Sequence, residues 1–561
     1  MTTDASRPWL DSYAPGVPHE IEEQTGSLAD LIAESVKTYP DNVALEFFGA
    51  TTTYAQLGDQ IERAAEGLRK LGVKKGDPVA LVMPNSPEHV VAFYAILRVG
   101  GIVIEHNPLY TTREMRHQFE DHGAKVAIAF TKAVAVLQDF PADLALDTII
   151  SIDITKGMGF LTRFALMLPI KKARESRAAL TERVKGTVLW TDLLKNEPIA
   201  ASIPRPSVED VALIQYTSGT TGHPKGATLT HLNLTANAAQ ARAWVPTVER
   251  GTSVVYAVLP LFHAYGLTLC LTFAMSMGAR LVLFPRFDPD LVLAVIKKRP
   301  ATFLPAVPPI YERLQAAATA KGVSLEGIQI AISGAMPLRA SVVEPWEAET
   351  GGYLVEGYGL SETSPVLMAN PVAPTRVAGT VGLPLPSTLV RVVDPENPTV
   401  EMPKGERGEL VAKGPQVMSG YWKKPEETAA VFADGWYRTG DIVTIDDAGF
   451  VRIVDRIKEI IITGGFNVTP TEVEEALVRF PGVAEAAVVG LPNEHSGEEV
   501  VAAIVPSNGV SIDEEALEAF ARENLTPYKV PRQFFVVEEL PKSLIGKVLR
   551  RKVRDSILEK L

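Results

Sequence analysis

Short apolar segments alternate with longer helical segments through the first two thirds of the chain, and this alternation limits the fold more than any other feature. The segment VALVMP at 79–84 precedes SPEHVVAFYAILRVGG at 86–101, and GIVIEHNP at 101–108 follows. AKVAIAF at 124–130 and ALIQYT at 212–217 are further strand-like runs. Such alternation is typical of parallel sheets covered by helices. The sequence therefore predicts an α/β protein.

The pattern changes near residue 379. GTVGLPLPSTLVRVVD, GERGELVAKG and GFVRIVD are short strand-like runs separated by turn residues, which predicts a β-barrel-like subdomain. About the last hundred residues mix helical runs such as TEVEEALVRF with apolar runs such as VVAAIVP, which predicts a small α+β domain. The predicted fold class is thus α/β: a large N-terminal domain of stacked, mostly parallel sheets with a barrel-like subdomain, and a small C-terminal domain.

Composition excludes several classes of function. The chain has 561 residues, too many for one hydrophobic core, so several domains are expected. Its formal net charge of −12 argues against a nucleic-acid partner. A single cysteine, Cys270, excludes an intramolecular disulfide and a cysteine-rich metal site. The N-terminal residues lack the apolar stretch of a signal peptide, so a cytoplasmic protein is expected.

The stretch from Gly251 to Ala279 contains no charged residue and is long enough to suggest a membrane span. Pro260, His263 and Gly266 interrupt it, however. A buried strand, a helix and a second strand account for the same apolar run. We therefore expect a strand–helix–strand unit of the α/β core at this point.

The segment 156–177, KGMGFLTRFALMLPIKKARESR, combines six basic residues with an apolar middle. In an acidic protein, such a segment is a candidate for weak peripheral contact with the inner face of the cell membrane. A surface helix packed on its own domain is the alternative, and the sequence leaves both interpretations open.

The segment YTSGTTGHPKG at 216–226 has the composition of a phosphate-binding loop. Hydroxyl groups, glycine backbone N–H groups and one cation, Lys225, are what a polyphosphate requires. The spacing does not match GxxxxGK[ST], so this loop differs from the Walker loop. A flexible surface linker is the alternative that this stretch alone leaves open.

Six further stretches carry chemically useful side chains. Each such residue alone has a common structural explanation, such as a solvated lysine or a carboxylate at a helix N-terminus. The stretches are VLPLFHAYG with His263, AISGAMPL with Gly334 and Ala335, YGLSET with Tyr358, Gly359, Ser361 and Glu362, WYRTGD with Asp441, VDRIKEIIITGGFN with Arg456, Lys458, Gly464, Gly465 and Phe466, and PKSLIGKVLR with Lys547.

Together with 216–226, these stretches resemble the adenylate-forming superfamily of acyl-CoA synthetases, peptide-synthetase adenylation domains and firefly luciferase. The resemblance extends from TYAQL near Tyr54 to Lys547. HNPLYTTRE, SPVLMANP and GGFNVTPTEVEE are most similar to bacterial long-chain fatty acid–CoA ligases. The resemblance implies an acid–thiol ligase that uses ATP, Mg²⁺ and coenzyme A.

The resemblance also implies a nucleotide site. Residues 217–225 would hold the β- and γ-phosphates, and Ser361 would bond the α-phosphate. Tyr358 would stack on adenine, while Asp441 and Arg456 would reach the ribose. The implied ATP- and AMP-binding residues are Thr217, Ser218, Gly219, Thr220, Thr221, Gly222, Lys225, Gly334, Ala335, Tyr358, Gly359, Ser361, Asp441, Arg456 and Lys547.

Catalytic roles are implied in the same way. Glu362 and Thr217 would ligate Mg²⁺, a hard cation that prefers oxygen ligands. His263 would lie beside the path of the carboxylate, and Lys547 would bridge the α-phosphate and that carboxylate. The acyl pocket is expected near Pro308, Pro309 and Val366.

The family transfers its acyl group by rotating a small C-terminal domain, and Lys458 matches the hinge position. Gly464, Gly465 and Phe466 would line the coenzyme A tunnel. The implied divisions are an N-terminal domain at 1–455, with subdomains of about 1–205, 206–370 and 371–455, a hinge at 456–460 and a mobile C-terminal domain at 461–561.

The expected reaction joins a long-chain fatty acid to coenzyme A through an acyl-adenylate, with release of AMP and pyrophosphate. A ligase for medium-chain or aromatic acids is one alternative, and a fatty acyl-AMP ligase that feeds a carrier protein is another. A non-catalytic lipid-binding relative is the alternative from a different class. A homodimer is expected from the resemblance alone.

Overall fold

The computed structural model describes residues 7–144, 146–217, 224–456, 459–463, 466–493, 497–507, 509–543 and 546–561. The chain divides into two compact units. The larger unit comprises Trp9–Leu389 and Lys413–Val431. The smaller unit comprises Val390–Ala412 and Phe432–Leu561.

Strands and helices alternate along the described residues. The strands are β1 (Val43–Phe47), β2 (Ala50–Thr53), β3 (Pro78–Val82), β4 (Ile102–His106), β5 (Val126–Phe130), β6 (Thr148–Ile152), β7 (Val188–Leu189), β8 (Val211–Thr217), β9 (Lys225–Thr230), β10 (Val254–Ala257), β11 (Arg280–Leu283), β12 (Phe303–Ala306), β13 (Ile330–Ser333), β14 (Tyr353–Gly359), β15 (Val366–Ala369), β16 (Leu383–Pro384), β17 (Leu389–Val393), β18 (Gly408–Lys413), β19 (Gly420–Tyr421), β20 (Phe432–Ala433), β21 (Trp436–Ile445), β22 (Val451–Arg456), β23 (Ile461–Thr463), β24 (Phe466–Val468), β25 (Val483–Asn493), β26 (Gly497–Pro506) and β27 (Gln533–Val536).

The α-helices are α1 (Leu28–Thr38), α2 (Tyr54–Lys70), α3 (Pro87–Arg98), α4 (Thr112–His122), α5 (Val134–Gln138), α6 (Phe160–Met167), α7 (Lys171–Leu180), α8 (Trp190–Leu193), α9 (His231–Trp244), α10 (Ala264–Gly266), α11 (Phe273–Met277), α12 (Pro289–Ile296), α13 (Pro308–Lys321), α14 (Ala340–Thr350), α15 (Pro425–Ala430), α16 (Pro470–Leu477), α17 (Glu514–Asn524) and α18 (Arg550–Leu558). Local signals set their ends. Ser86, for example, precedes α3 and accepts a hydrogen bond from the His89 N–H, while Pro87 occupies the first helical position, where its missing N–H costs nothing.

The larger unit contains two sheets, as the alternation predicts. Among the described residues, nine strands form the first sheet, in the order β16-β15-β14-β13-β12-β10-β11-β1-β2. Its strands from β14 to β1 are parallel, and antiparallel strands flank them. The second sheet has the order β19-β9-β8-β4-β3-β5-β6-β7 and is parallel from β8 to β7. The predicted stack of mostly parallel sheets is confirmed.

The uncharged stretch from Gly251 to Ala279 forms the predicted strand–helix–strand unit. It contains β10, then α10, a π-helical turn at Leu267–Thr272 and α11, and β11 follows directly. The strands β10 and β11 are parallel neighbours in the first sheet. Across the described part of the chain, no helix combines the length and apolar character that a membrane crossing requires.

Among the described residues, the smaller unit contains two sheets that are mostly antiparallel. Strands β17-β18-β21-β20 form one sheet, in which β22 also pairs with β21. Strands β24-β23-β26-β25 form another, with β27 added in parallel beside β26. Val473, Leu477, Val488, Val500 and Leu517 belong to its apolar core and connect α16 and α17 with these strands. The predicted small α+β domain is therefore confirmed.

A buried histidine joins two helices of the larger unit. His231 begins α9, is fully buried, and its Nδ1 accepts a hydrogen bond from the Leu28 N–H of α1 at 3.2 Å. Burial lowers the pKa of His231 to about 4 from the ordinary 6.5. The native fold thus holds the imidazole neutral, whereas the unfolded chain protonates it below pH 6.5.

The substitution His231→Asn should reduce the acid sensitivity of the fold. As pH falls from 6.5 towards 4, the unfolded state binds a proton that native His231 rejects, which costs up to about 3 kcal/mol. Asparagine keeps an acceptor for Leu28 but cannot titrate. Between pH 7 and pH 4, the urea-unfolding midpoint of the wild-type protein should fall more steeply than that of His231→Asn, so the two midpoints should approach each other at low pH. Midpoints that change equally with pH in both proteins would contradict the account.

Candidate active site

Many of the predicted site residues of the larger unit lie at or after the carboxyl ends of parallel strands in the first sheet. Strands β12, β13 and β14 are adjacent and aligned, with Ala306 opposite Ser333 and Ser333 opposite Glu356. His263 follows β10, and the 358–362 segment ends β14 and continues beyond it. In open α/β sheets, ligands bind in the crevice outside these strand ends. The topology thus gathers chemical groups that are far apart in sequence.

Tyr265 fixes the relative positions of two of these strand ends. Its hydroxyl lies 2.7 Å from the Ile332 carbonyl and 3.1 Å from the Ala306 carbonyl, so it donates to the end of β13 beside β12. A Cβ atom built on Gly334 would lie 3.1 Å from the Tyr265 ring, so glycine lets the backbone rest on that ring. Ala335 follows with a φ of +65°, in the left-handed region. Sequence reasoning missed Tyr265, although it lies within the quoted HAYG motif.

The loop that carries His263 is held from the second sheet. The Asn85 side-chain amide donates to the Leu259 carbonyl at 2.8 Å, and its oxygen accepts from the Leu261 N–H at 2.8 Å. Gln215, on β8, donates to the Phe262 carbonyl at 3.2 Å. These three bonds satisfy backbone groups of a buried loop, which would otherwise cost stability. They also set the position of His263.

His263 is a neutral hydrogen-bond donor. Burial lowers its pKa to about 4, although part of the residue stays accessible. Its Nδ1 accepts from the Tyr265 N–H at 3.3 Å. A neutral imidazole that accepts through Nδ1 carries its proton on Nε2. His263 can therefore donate a hydrogen bond without adding positive charge.

The turn after β14 buries Glu362. Tyr358 and Glu362 are each 8% exposed, and Ser361–Thr363 form one 3₁₀ turn. A Cβ atom on Gly359 would lie 1.8 Å from the Pro365 carbonyl oxygen, so only glycine permits this close backbone approach. The Thr268 hydroxyl donates to the Ser364 carbonyl at 2.6 Å and ties the turn to the π-helical segment.

Thr217 and Lys225 face each other across an antiparallel pair. Thr217 ends β8, Lys225 begins β9, and the two are paired in register. The predicted phosphate-loop residues Ser218, Gly219, Thr220, Thr221 and Gly222 lie outside the described residues. The pairing brings the two ends of that loop together.

Tyr421 connects this pair to Glu362. Strand β19 adds to β9, with Tyr421 opposite Ala227. The Tyr421 hydroxyl donates to Glu362 Oε1 at 2.8 Å. The Lys225 Nζ lies 5.3 Å from the centroid of the Tyr421 ring and 3.5 Å from Glu427 Oε2. The structure thus gathers Thr217, Lys225 and Glu362, and sequence reasoning missed Tyr421, whose only signal was an aromatic residue after the glycine of SGYWKK.

A divalent cation fits this donor set. No group of three or more His, Cys, Asp or Glu side chains that could hold a metal occurs among the described residues. Mg²⁺ at nucleotide sites commonly takes one or two protein carboxylates and completes its shell with phosphate oxygens and water. A buried carboxylate at Glu362, tied through Tyr421 to the end of a phosphate loop, suits such a metal.

In the smaller unit, Asp441 is buried in the centre of a sheet. It lies on β21, is 1% exposed and is paired with Arg456 on β22. Glu409 supports the preceding residues, because its carboxylate accepts hydrogen bonds from Arg438 and from the Gly440 N–H. Asp441 is the last residue of the WYRTGD motif. Its carboxylate has two oxygens that could accept hydrogen bonds from two ribose hydroxyls.

Lys547 lies shortly before α18. Its N–H donates to the Ser543 hydroxyl at 3.1 Å, and its carbonyl accepts from the Ser543 N–H at 2.8 Å. Phe466 begins β24. Lys458, Gly464 and Gly465 lie outside the described residues.

Arg550 anchors the segment that follows Lys547. It donates two hydrogen bonds to Glu474, at 2.6 and 2.8 Å, and also contacts Glu459. Burial lowers the pKa of Arg550, but the bonds to Glu474 and the charges of Glu459 and Asp455 outweigh burial and raise it above its ordinary value. The start of α18 is thereby fixed to Glu459, within the predicted hinge, and to Glu474 beyond it.

Comparison with known proteins identifies the family of this chain. The sequence model of the AMP-binding enzyme matches residues 32–422, and that of the AMP-binding enzyme C-terminal domain matches 472–547. The chain belongs to the AMP-binding enzyme family. The resemblance inferred from the motifs is therefore confirmed.

Relatives in this family extend over nearly the whole chain. A long-chain-fatty-acid–CoA ligase of Bacillus subtilis (strain 168) is 38% identical over 99% of this chain and 99% of its own. A feruloyl-CoA synthase of Amycolatopsis sp. is 33% identical over 92% of this chain and 96% of its own. Among solved structures, ATP-bound MatB from Rhodopseudomonas palustris superposes with a TM-score of 0.80 at 32% identity, and covers 94% of this chain and 98% of its own.

Proposed function

We propose that the protein joins a long-chain fatty acid to coenzyme A in an ATP-dependent reaction, through an acyl-adenylate, with release of AMP and pyrophosphate. The observation that carries this proposal is the convergence of Thr217, Lys225 and Glu362 at the strand ends of an AMP-binding enzyme. The fold supports ATP-dependent acyl-CoA ligation, and the relative from B. subtilis supports the long-chain substrate.

The first step would activate the carboxylate. A carboxylate is a poor electrophile, and its transfer to AMP provides a leaving group that divides one difficult reaction into two easier ones. The carboxylate would attack the α-phosphate in line and expel pyrophosphate, so negative charge must be neutralised throughout. We assign this work to Lys225 at the β- and γ-phosphates and to Lys547 between the α-phosphate and the carboxylate.

Glu362 and the Thr217 hydroxyl would hold Mg²⁺ with the triphosphate. When bound, the ion supplies positive charge to the phosphate oxygens. His263 would donate through Nε2 to an oxygen beside the carboxylate path, since its low pKa keeps the ring neutral. Ser361 would donate its hydroxyl to the α-phosphate.

Separate groups of residues would recognise the adenine and the ribose. Tyr358 would pack on the adenine, with Gly334, Ala335 and Gly359 as the small residues that leave room for it. Asp441 would accept hydrogen bonds from the ribose hydroxyls, and Arg456 would lie beside it. A two-acceptor carboxylate suits two neighbouring hydroxyls.

The second step would use coenzyme A. Its thiol must reach the acyl-adenylate, so Lys547 must leave the site. We propose that the C-terminal domain, residues 461–561, rotates about Lys458 for this purpose. Gly464, Gly465 and Phe466 would then line the path of the thiol.

Product analysis tests the function directly. Purified protein with Mg²⁺, ATP and coenzyme A should convert C12 to C18 acids into acyl-CoA and AMP, as measured by mass spectrometry. Shorter acids, benzoate and ferulate serve as competitors, since a feruloyl-CoA synthase is among the relatives. Preference for an aromatic acid would contradict the long-chain assignment. Acyl-adenylate that accumulates despite coenzyme A would point instead to a carrier-protein partner.

The substitution Lys547→Ala should lower the rate of adenylate formation roughly 100-fold or more, because one charged donor to the reacting groups is lost. Pyrophosphate exchange measures this step alone. Lys542→Ala is the matched control, because Lys542 is a nearby lysine paired with Glu485 and has no proposed role. A full adenylation rate in Lys547→Ala would overturn the assignment.

We also propose a cytoplasmic enzyme that touches anionic membrane through the segment 156–177. Helix α6, all of which the structure describes, has no buried residue. Phe160 and Leu161 are 77% and 81% exposed, and Met167 is 62% exposed. The basic residues nearby are Lys156, Arg163, Lys171, Lys172, Arg174 and Arg177. An exposed apolar face flanked by basic residues suits a lipid surface, where the acyl substrate partitions.

Vesicle sedimentation tests this contact. Wild-type protein should sediment with vesicles that contain phosphatidylglycerol more than with phosphatidylcholine alone, and added salt should weaken the difference. Phe160→Ser combined with Leu161→Ser should abolish it. Leu189→Ser, which changes an apolar residue 47% exposed elsewhere, should leave it unchanged. Equal sedimentation with both lipids would contradict an electrostatic contact.

A further inference from the structure

Tyr421 contacts two of the proposed site residues but has no role in the proposed chemistry. Its hydroxyl donates to Glu362 Oε1 at 2.8 Å, and its ring lies 5.3 Å from the Lys225 Nζ. One side chain therefore contacts both the proposed metal carboxylate and the cation of the phosphate loop. Glu362 and Tyr421 are 59 residues apart in sequence.

Hydrogen bonds of main-chain N–H groups hold the backbone around Tyr421. The Trp422 N–H donates to the Gly226 carbonyl at 2.8 Å, which extends the pairing of β19 with β9. The Tyr421 N–H donates to the hydroxyl of Thr428, within α15, at 2.9 Å. These bonds are all made by main-chain groups of this strand. They hold the strand whether or not the phenol hydroxyl is present.

Tyr421 and the residue that follows it have different surroundings. Trp422, directly after β19, packs against the apolar cluster of Ile102, Ile104 and Ile214, whereas Tyr421 reaches Glu362 and Lys225. Of these two neighbours, Trp422 is a packing residue and Tyr421 is directed at charged groups.

We propose that Tyr421 is a positioning residue that orients Glu362 towards the divalent cation of the metal–ATP complex and keeps Lys225 beside it. This proposal rests on the proposed function, in which Glu362 binds that cation. A donated hydrogen bond fixes the rotation of the carboxylate and leaves its other oxygen directed away from the phenol. The ring face attracts the lysine ammonium, so the metal carboxylate and the phosphate-loop cation share one support.

The physical expectation concerns metal affinity. Loss of a hydrogen bond that orients a metal-binding carboxylate typically lowers metal affinity 10- to 100-fold. The substitution Tyr421→Phe removes only the hydroxyl and keeps the ring under Lys225. It should therefore lower the affinity for the metal far more than the affinity for metal-free nucleotide.

The test measures Mn²⁺ binding by electron paramagnetic resonance, with full-length protein and α,β-methylene-ATP. Tyr421→Phe should raise the dissociation constant of Mn²⁺ at least roughly 10-fold and raise the Mg²⁺ concentration for half-maximal activity similarly. Trp422→Phe, at the next residue along the chain, is the matched control, and it should leave both values unchanged. Melting temperatures of both variants report any general loss of structure.

A double substitution separates a positioning role from a structural one. In a Glu362→Gln background, Tyr421→Phe should cause no further loss of Mn²⁺ affinity, because the group through which it acts has already lost its charge. An undiminished additional loss would overturn the proposal, as would unchanged Mn²⁺ affinity in Tyr421→Phe alone. Equal losses in Tyr421→Phe and Trp422→Phe would overturn it too.

This test is independent of the overall function. If wild-type protein forms no acyl-CoA with any acid, the proposed function fails whatever Tyr421 does. If wild-type protein is active and the variant binds Mn²⁺ normally, only the role of Tyr421 fails.

Discussion

Hydrogen bonds between the two sheets of the larger unit, at their carboxyl edge, hold the candidate site residues in place. Asn85 and Gln215, from the second sheet, hold the loop that carries His263 after β10 of the first. Tyr421, on a strand of the second sheet, bonds Glu362, which follows β14 of the first. Asn85 is 3% exposed, so its bonds compete little with water. These bonds tie the loops of one sheet to residues of the other sheet.

The parallel architecture could be predicted from sequence, and candidate site residues could be proposed from it, because the signals for both are local. Short apolar runs such as VALVMP, each followed by a longer helical segment, predict alternating strands and helices. The motifs around Glu362 and Lys225 carried enough chemistry to suggest a phosphate and a metal. The uncharged stretch at 251–279 was resolved correctly because proline and glycine interrupt it.

The supporting residues could not be predicted, because their roles arise from long-range contacts. Asn85 acts on a loop 176 residues away, and Tyr421 acts on a turn 59 residues away. Neither has a distinctive neighbourhood in sequence. Tyr265 was within a quoted motif, yet its bond to Ile332 depends on the strand order β10-β12-β13, which periodicity does not reveal. Ala335 likewise gave no sign of its positive φ, a conformation that costs about 1–2 kcal/mol for a residue other than glycine.

A crystal structure with Mn²⁺ and α,β-methylene-ATP tests the central claim most directly, because the anomalous signal of the metal locates it without assumptions. The account predicts a Mn²⁺ ion bound to the Glu362 carboxylate, with the β- and γ-phosphates against the segment between Thr217 and Lys225. Metal and triphosphate bound elsewhere, with no contact between Glu362 and the metal, would contradict it.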